Sequence, residues 1–298
     1  MTVLQGILLG FIQGIAEFLP ISSSGHLKVV RLLMERLHGA GFADISSDAL
    51  LLFDVFLHLA TLLAVVLYFR RVIWRLLCVL GRWIARRPAP AAAEGLPPER
   101  AEQQGRTIIL MILLTTLVTG VLGVVSAKLL PSFSIKAVCV GFLFTALLLV
   151  ASSVVDKLIA LHYAASSGVR GDRPYSGIRW WQALIVGVAQ GVGTLPGVSR
   201  SGSTIAGALF CGVDRVTAGD YSFLVSIPAI IGAFLLELND LDTVASSVGA
   251  LPVLAGCVAA FVAGYAALSW LMRLIHKGRL EWFALYLVPL GILGLIFF

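Results

Sequence analysis

Apolar runs long enough to cross a lipid bilayer constrain this chain more than anything else in it. Ile108 to Leu129, Ala137 to Val155, Leu251 to Leu271 and Phe283 to Phe298 are almost free of charged residues. A helix needs roughly 20 residues to traverse a hydrocarbon core, and these runs meet or approach that length. A membrane-spanning β-barrel would alternate polar and apolar positions, which these runs do not. Charged residues make up 13% of the chain, against about 25% in soluble domains. The fold expected is an all-α integral membrane protein. No basic region precedes the first apolar stretch, and Glu17 interrupts its end. Residues 1–34 therefore read as retained structure and not as a cleaved leader. The cysteines, Cys78, Cys139, Cys211 and Cys257, have neither metal-ligand nor disulfide spacing and read as packing residues.

The net charge of +6 is concentrated in a few connections. Arg70 to Arg106 holds eight of the seventeen arginines, and Lys157 to Arg179 and Arg273 to Arg279 are basic as well, whereas Glu237 to Asp242 is acidic and Pro131 to Ser134 is short and neutral. The positive-inside rule puts the three basic connections in the cytoplasm, which explains the charge without nucleic acid. Helices at about 50–69, 108–129, 135–159, 218–236, 251–272 and 282–298 then cross the membrane in alternating directions. Residues 1–34 and 180–212 must each return to the side on which they began. Each carries a polar Pro/Gly/Ser break, so each reads as a re-entrant helical hairpin, tolerated at membrane depth where protein or a wet cavity surrounds it. The basic segment 70–106 reads as a cytoplasmic loop, flexible in its Pro/Ala-rich middle.

The two hairpins resemble each other. Gly10 to Gly25 reads GFIQGIAEFLPISSSG, and Gly187 to Gly202 reads GVAQGVGTLPGVSRSG. At a constant offset of 177, Gly10, Gln13, Gly14, Ser22, Ser24 and Gly25 match Gly187, Gln190, Gly191, Ser199, Ser201 and Gly202. Residues 1–160 and 178–298 thus read as two repeats, each a hairpin plus three crossings. Three is odd, so the second repeat is inverted, and the hairpin tips meet near the midplane, as in other inverted-repeat membrane proteins.

Intramembrane ionisable groups are functional candidates by default, because a central charge costs about 2.5 to 3.5 kcal/mol on insertion scales. Glu17 and Arg200 both qualify. In PGVSRSGST, Ser199, Ser201, Ser203, Thr204 and the N–H groups opening the next helix can donate to phosphate oxygens. Gly197 and Gly202 permit close backbone approach, and Arg200 offers a planar fork to a phosphoryl group. The plainer alternative is a Glu17–Arg200 lock between hairpins, which would not need so many hydroxyls. At the first tip Ser22, Ser23, Ser24 and Gly25 precede His26. Ser23 stands opposite Arg200 in the repeat and is the candidate nucleophile, with His26 as base or acid. Beside an anionic ligand, Glu17 calls for a hard divalent ion, Mg²⁺ or Ca²⁺, with Gln13 one turn away as a second oxygen donor.

QGIAEFLPISSSGHL and PGVSRSGST, together with FDVFLHLATLLAVVLYFRR and YSFLVSIPAIIGA, resemble the signature segments of the bacterial undecaprenyl-pyrophosphate phosphatases, the bacitracin-resistance family. The resemblance runs over nearly the whole chain. It implies removal of the terminal phosphate from a C55 polyprenyl diphosphate, recycling the lipid carrier of cell-wall synthesis, and a divalent-cation requirement. It implies that Gln13 and Glu17 form the acidic motif, Ser22, Ser23 and His26 the SSxGH motif, and Ser199, Arg200 and Thr204 the arginine motif. Many members have Glu where position 13 is Gln. The expected location is the bacterial plasma membrane, with the site open to the outside and a homodimer left open. Water activated by metal or by Glu17 competes with Ser23 as nucleophile. A lipid or anion transporter using the same midplane site is the alternative from another class.

Three further features carry alternatives. Asp54 and His58 lie one helical turn apart and read either as a pair bonded to each other or as support for the site. Trp180, Trp181 and Trp282 mark an interface belt. The stretch from Val72 to Arg87 reads as an amphipathic helix on anionic headgroups.

Overall fold

The computed structural model describes residues 1–38, 47–87, 98–129, 134–167, 177–237 and 248–298. They form helices throughout, with no strand among the described residues. In chain order these are α1 (Val3–Phe18), α2 (Ser23–His38), α3 (Ser47–Tyr68), α4 (Arg70–Ile84), α5 (Pro98–Leu129), α6 (Ile135–Ser167), α7 (Trp180–Val192), α8 (Arg200–Phe210), α9 (Arg215–Glu237), α10 (Ala250–His276) and α11 (Trp282–Phe297). Five spans are long and apolar enough to cross a membrane: Ala49–Tyr68, Glu99–Ser126, Ile135–Ser166, Arg215–Leu235 and Ala250–His276. The last expected crossing, Trp282–Phe297, is a shorter apolar helix, as is Val3–Phe18.

Each of the two segments read as a hairpin folds as two short helices joined by a tight turn. In the first, α1 begins with Thr2 and Gln5 capping each other's backbone N–H, which satisfies two of the donors a helix start leaves over. The 13 residues of α7 give a helix about 20 Å long, too short for a core of about 30 Å. The second helix of each hairpin opens on a serine: the Ser22 hydroxyl accepts from the Gly25 N–H at 3.3 Å, and the Ser199 hydroxyl accepts from the Gly202 N–H at 3.1 Å.

The segment 70–106 holds the helix expected from Val72 to Arg87 and departs from the expectation of a loop only near its end. Arg70–Ile84 and everything from Pro98 onward are helical, and residues 88–97 of the Pro/Ala-rich middle lie outside the described residues. Proline at a first helical position loses no hydrogen bond, and Glu99 in the first turn suits the positive end of the helix dipole. The Glu102 carboxylate binds Arg82 at 2.8 Å and Arg106 at 3.6 Å, and Arg106 lies over the Trp83 ring. These contacts fasten amphipathic α4 to the base of α5. The acidic connection 237–242 and the neutral one at 131–134 fall almost wholly outside the described residues.

The packing partners are exchanged between the two halves. α1 of the first hairpin packs on α10, and α7 of the second packs on α5; α3 also meets α10, and α9 meets α5. The repeated glycines account for this. A Cβ at Gly10 would lie 2.1 Å from the Gly256 carbonyl oxygen, and one at Gly14 would lie 2.5 Å from that of Ala260. Their counterparts Gly187 and Gly191 press on Val118 and Leu122 of α5 at 2.8 and 2.6 Å. Small residues let helix backbones approach closely where lipid offers no hydrophobic drive between helices. Behind the tips, Phe18, Phe69, Phe142, Phe223, Leu268 and Leu271 form the largest buried cluster.

Candidate active site

The two hairpin tips touch. A Cβ at Gly25 would lie 2.5 Å from the Phe142 ring and 3.2 Å from Gly197 of the other tip, and one at Gly202 would lie 3.1 Å from Pro20. Both glycines are therefore contact points between tips, and neither lines a binding surface. Ser22 sits in the left-handed region at φ 71, a conformation that a non-glycine residue adopts at a cost of order 1–3 kcal/mol. Gly197 plays the corresponding part at φ 86. These turns place Ser23 and Arg200, the first residues of α2 and α8, beside the same carboxylate.

That carboxylate is Glu17, at the end of α1, with a side chain 4% exposed. Its Oε1 accepts from Arg200 Nη2 at 2.5 Å. Its Oε2 accepts from Ser23 Oγ at 2.7 Å and from Gln13 Nε2 at 3.0 Å, with His58 Nδ1 3.3 Å away. Gln13 Nε2 also lies 3.0 Å from His58 Nδ1. Arg200 Nη1 and Gln13 Oε1 are buried without a hydrogen-bond partner among the described residues. The free Nη1 leaves Arg200 a donor that Glu17 does not use.

Glu17, Ser23 and Arg200 open onto a cavity of about 450 Å³, within the range that encloses one small ligand. Ser22, Ser24, Ser199, Asp54, His58, Thr119, Gln190 and Thr194 add polar wall. Leu51, Val55, Ile230, Ala233 and Phe234 form an apolar side. The structure thus brings Glu17, Ser22, Ser23, Ser24, Ser199 and Arg200 to one surface. It does not bring the whole expected set there. The Thr204 hydroxyl bonds the Arg200 carbonyl at 3.0 Å and also the Ser222 hydroxyl. The Ser201 hydroxyl lies 3.3 Å from that of Ser199, behind the wall. Gln13 backs Glu17 without facing the cavity.

The structure places His26 apart from these residues. It is not beside the Ser23 hydroxyl and does not line the cavity. Its Nδ1 lies 2.7 Å from the Ser22 carbonyl oxygen and its Nε2 lies 2.7 Å from the Tyr286 hydroxyl, and its ring stacks on Tyr286. Its ring nitrogens find partners in the turn behind it and on α11, and those bonds hold the imidazole away from the Ser23 hydroxyl. The imidazole at the site is His58. Asp54 and His58 do not bind each other as a pair: Asp54 takes both guanidinium nitrogens of Arg31, and His58 turns to Glu17. Sequence spacing raised both options for His58 and could not choose. Gln190 was visible as a repeated residue, but its bond to Thr119 Oγ1 at 3.1 Å needed the fold.

The chain matches the family described as bacitracin resistance protein BacA over residues 6–293. It belongs to that family. Relatives named undecaprenyl-diphosphatase include one from Treponema denticola, 39% identical over 98% of this chain and 96% of its own. Another, from Desulfatibacillum aliphaticivorans, is 38% identical over 95% of this chain and 94% of its own. A third, from Methanosphaera stadtmanae, is 35% identical over 99% and 97%. Glu17, Ser23 and Arg200 stand on the two segments whose sequences resemble each other.

Proposed function

We propose that this chain is a membrane phosphatase that removes the terminal phosphate of a polyprenyl diphosphate, undecaprenyl diphosphate in a bacterial cell, and so returns the lipid carrier to cell-wall synthesis and confers bacitracin resistance. What carries the reading is the convergence of Ser23 Oγ and Arg200 Nη2 on the two oxygens of Glu17 at a cavity wall. A hydroxyl hydrogen-bonded to a carboxylate is an activated nucleophile, and a guanidinium beside it stabilises charge on a phosphoryl group in transit. The relatives' names favour hydrolysis over lipid transport.

In the first displacement Ser23 Oγ bonds to the terminal phosphorus while its proton passes to Glu17 Oε2. The bond from that phosphorus to the bridging oxygen breaks, and the polyprenyl monophosphate leaves, taking the proton from Glu17. Arg200 swings its fork from Glu17 to the equatorial oxygens, and the unpartnered Nη1 gives it a second donor for them. Water then attacks the phosphoserine, its proton returns through Glu17 to Ser23 Oγ, and inorganic phosphate departs. His58 and Gln13 hold Glu17 through both steps. His26 takes a positioning role, fixing the turn through Ser22.

The residues also fit a hard divalent cation, Mg²⁺ or Ca²⁺. Glu17 offers a carboxylate and diphosphate oxygens complete such a set; Gln13 Oε1, without a partner among the described residues, stands behind Glu17 and would have to turn toward the cavity to join it. Among the described residues no group of three or more His, Cys, Asp or Glu side chains could hold an ion unaided, so the cation and the substrate would bind together. When bound it supplies neutralising charge on the phosphates. We read the two halves as inverted, the first hairpin opening outward at the plasma membrane and the second inward; the exchanged packing partners support this.

Purified protein in detergent, given a polyprenyl diphosphate with and without chelator, tests the proposal. Phosphate release is expected, with kcat reduced about 10³-fold or more in Arg200→Ala. Rapid quenching is expected to trap phosphate on Ser23. No release by the wild-type protein, or undiminished release by Arg200→Ala, rejects the reading.

A further inference from the structure

Resting on that reading, we infer that the seam between α3 and α9 is the portal through which the hydrocarbon chain of the substrate passes from the catalytic cavity into the bilayer. The cavity is two-faced. One side is Glu17, Ser23 and Arg200; the other is Leu51 and Val55 of α3 with Ile230, Ala233 and Phe234 of α9. At about 450 Å³ it holds a diphosphate and the first isoprene units, and a long polyprenyl chain must leave it. It leaves where the wall is apolar and reaches lipid. Leu51 is 53% exposed, and on α9 Ile231 and Leu235 are 42% and 58% exposed. The same α3 and α9 therefore face the cavity with one set of residues and the lipid with the next.

The seam itself is weakly closed. Leu52 and Val55, with Phe56 and Phe234 packed against them, form a small apolar cluster separate from the two larger ones. Few buried apolar contacts mark the parts of a protein that open first. Pro228 lies inside α9, directly before the cavity-lining Ala229 and Ile230. A proline there removes one backbone hydrogen bond and bends the helix, easing separation of this stretch from α3. The hairpin helices are held closely: α1 is pressed on α10 by Gly10 and Gly14, and α7 on α5 by Gly187 and Gly191. The occupant we assign is the phosphate-proximal isoprene segment of the substrate, whose charged end fixes it at Arg200 and whose length carries it outward.

A polyprenyl diphosphate with a diazirine in its first isoprene units, photolysed on the wild-type protein in lipid nanodiscs, is expected to label residues 51–56 and 230–234. In parallel, Val55→Trp and Phe234→Trp narrow the seam. Each is expected to lower the ratio of kcat/KM for a C55 diphosphate over that for isopentenyl diphosphate about tenfold or more. Labels confined to other helices, or equal losses on both substrates, overturn the portal. Failure of the wild type to release phosphate from either diphosphate would instead sink the phosphatase reading, while the labelling would still report the route.

Discussion

At Glu17 a single carboxylate takes donors from three segments of chain: Gln13 on its own helix, Ser23 across the turn, and Arg200 from the other half. His58 completes the ring and separates two expectations about histidine. His58→Ala is expected to lower kcat about tenfold or more with KM little changed, because Glu17 then loses a partner that holds it in place for the chemical step. His26 acts by another path. It bonds the Ser22 carbonyl and the Tyr286 hydroxyl, so His26→Ala and Tyr286→Phe are expected to be non-additive. A double-mutant cycle on kcat reads this: strictly additive losses would show that the pair does not act as one unit. His58 was named by its spacing from Asp54, but spacing along one helix cannot tell which of several neighbours a side chain meets. That choice was made by α1 packing against α3.

Among the helices, the close approach of α1 to α10 sets the position of Glu17. Gly10 lies two turns before it, with the Gly256 carbonyl where a Cβ would stand. Gly10→Leu is expected to push α1 away from α10, lowering the melting temperature in detergent by several degrees and phosphate release by more than tenfold. Gly120→Ala and Gly123→Ala on α5 are the controls, since nothing lies within 4 Å of a Cβ at either. They are expected to be neutral or slightly stabilising, as alanine is favoured over glycine in a helix by about 0.8–1.0 kcal/mol. An unchanged Gly10→Leu protein would mean that this contact does not position the site. The repeat made these glycines visible in the sequence. Their purpose was not visible, because each glycine's partner lies in the other half of the chain.

For the molecule as a whole, the halves interlock by exchange, and the cluster of Glu17, Ser23 and Arg200 exists only where both tips meet. The proposed inversion makes a labelling prediction. In intact cells, a membrane-impermeant maleimide is expected to modify Thr2→Cys, at the mouth of the first hairpin, and to spare Arg179→Cys and Lys277→Cys until the membrane is opened. The native cysteines are buried or partly buried, so the background is low. Labelling of Thr2→Cys and Arg179→Cys from the same side would rule the inversion out.

The sequence by itself determined the solvent: apolar runs of this length have no stable home except lipid, and with so few charges only helices could satisfy their backbones there. It also determined that Gly, Ser and Pro would break two of those helices, because these residues favour turns at any depth. The tertiary structure decided which side chains face each other. It turned His26 to Tyr286, gave Asp54 to Arg31, set His58 beside Glu17, and made the end of a supposed loop the start of α5. Periodicity and spacing report neighbours along a helix, whereas a site assembled from two halves of a chain depends on helix crossings that no local pattern encodes.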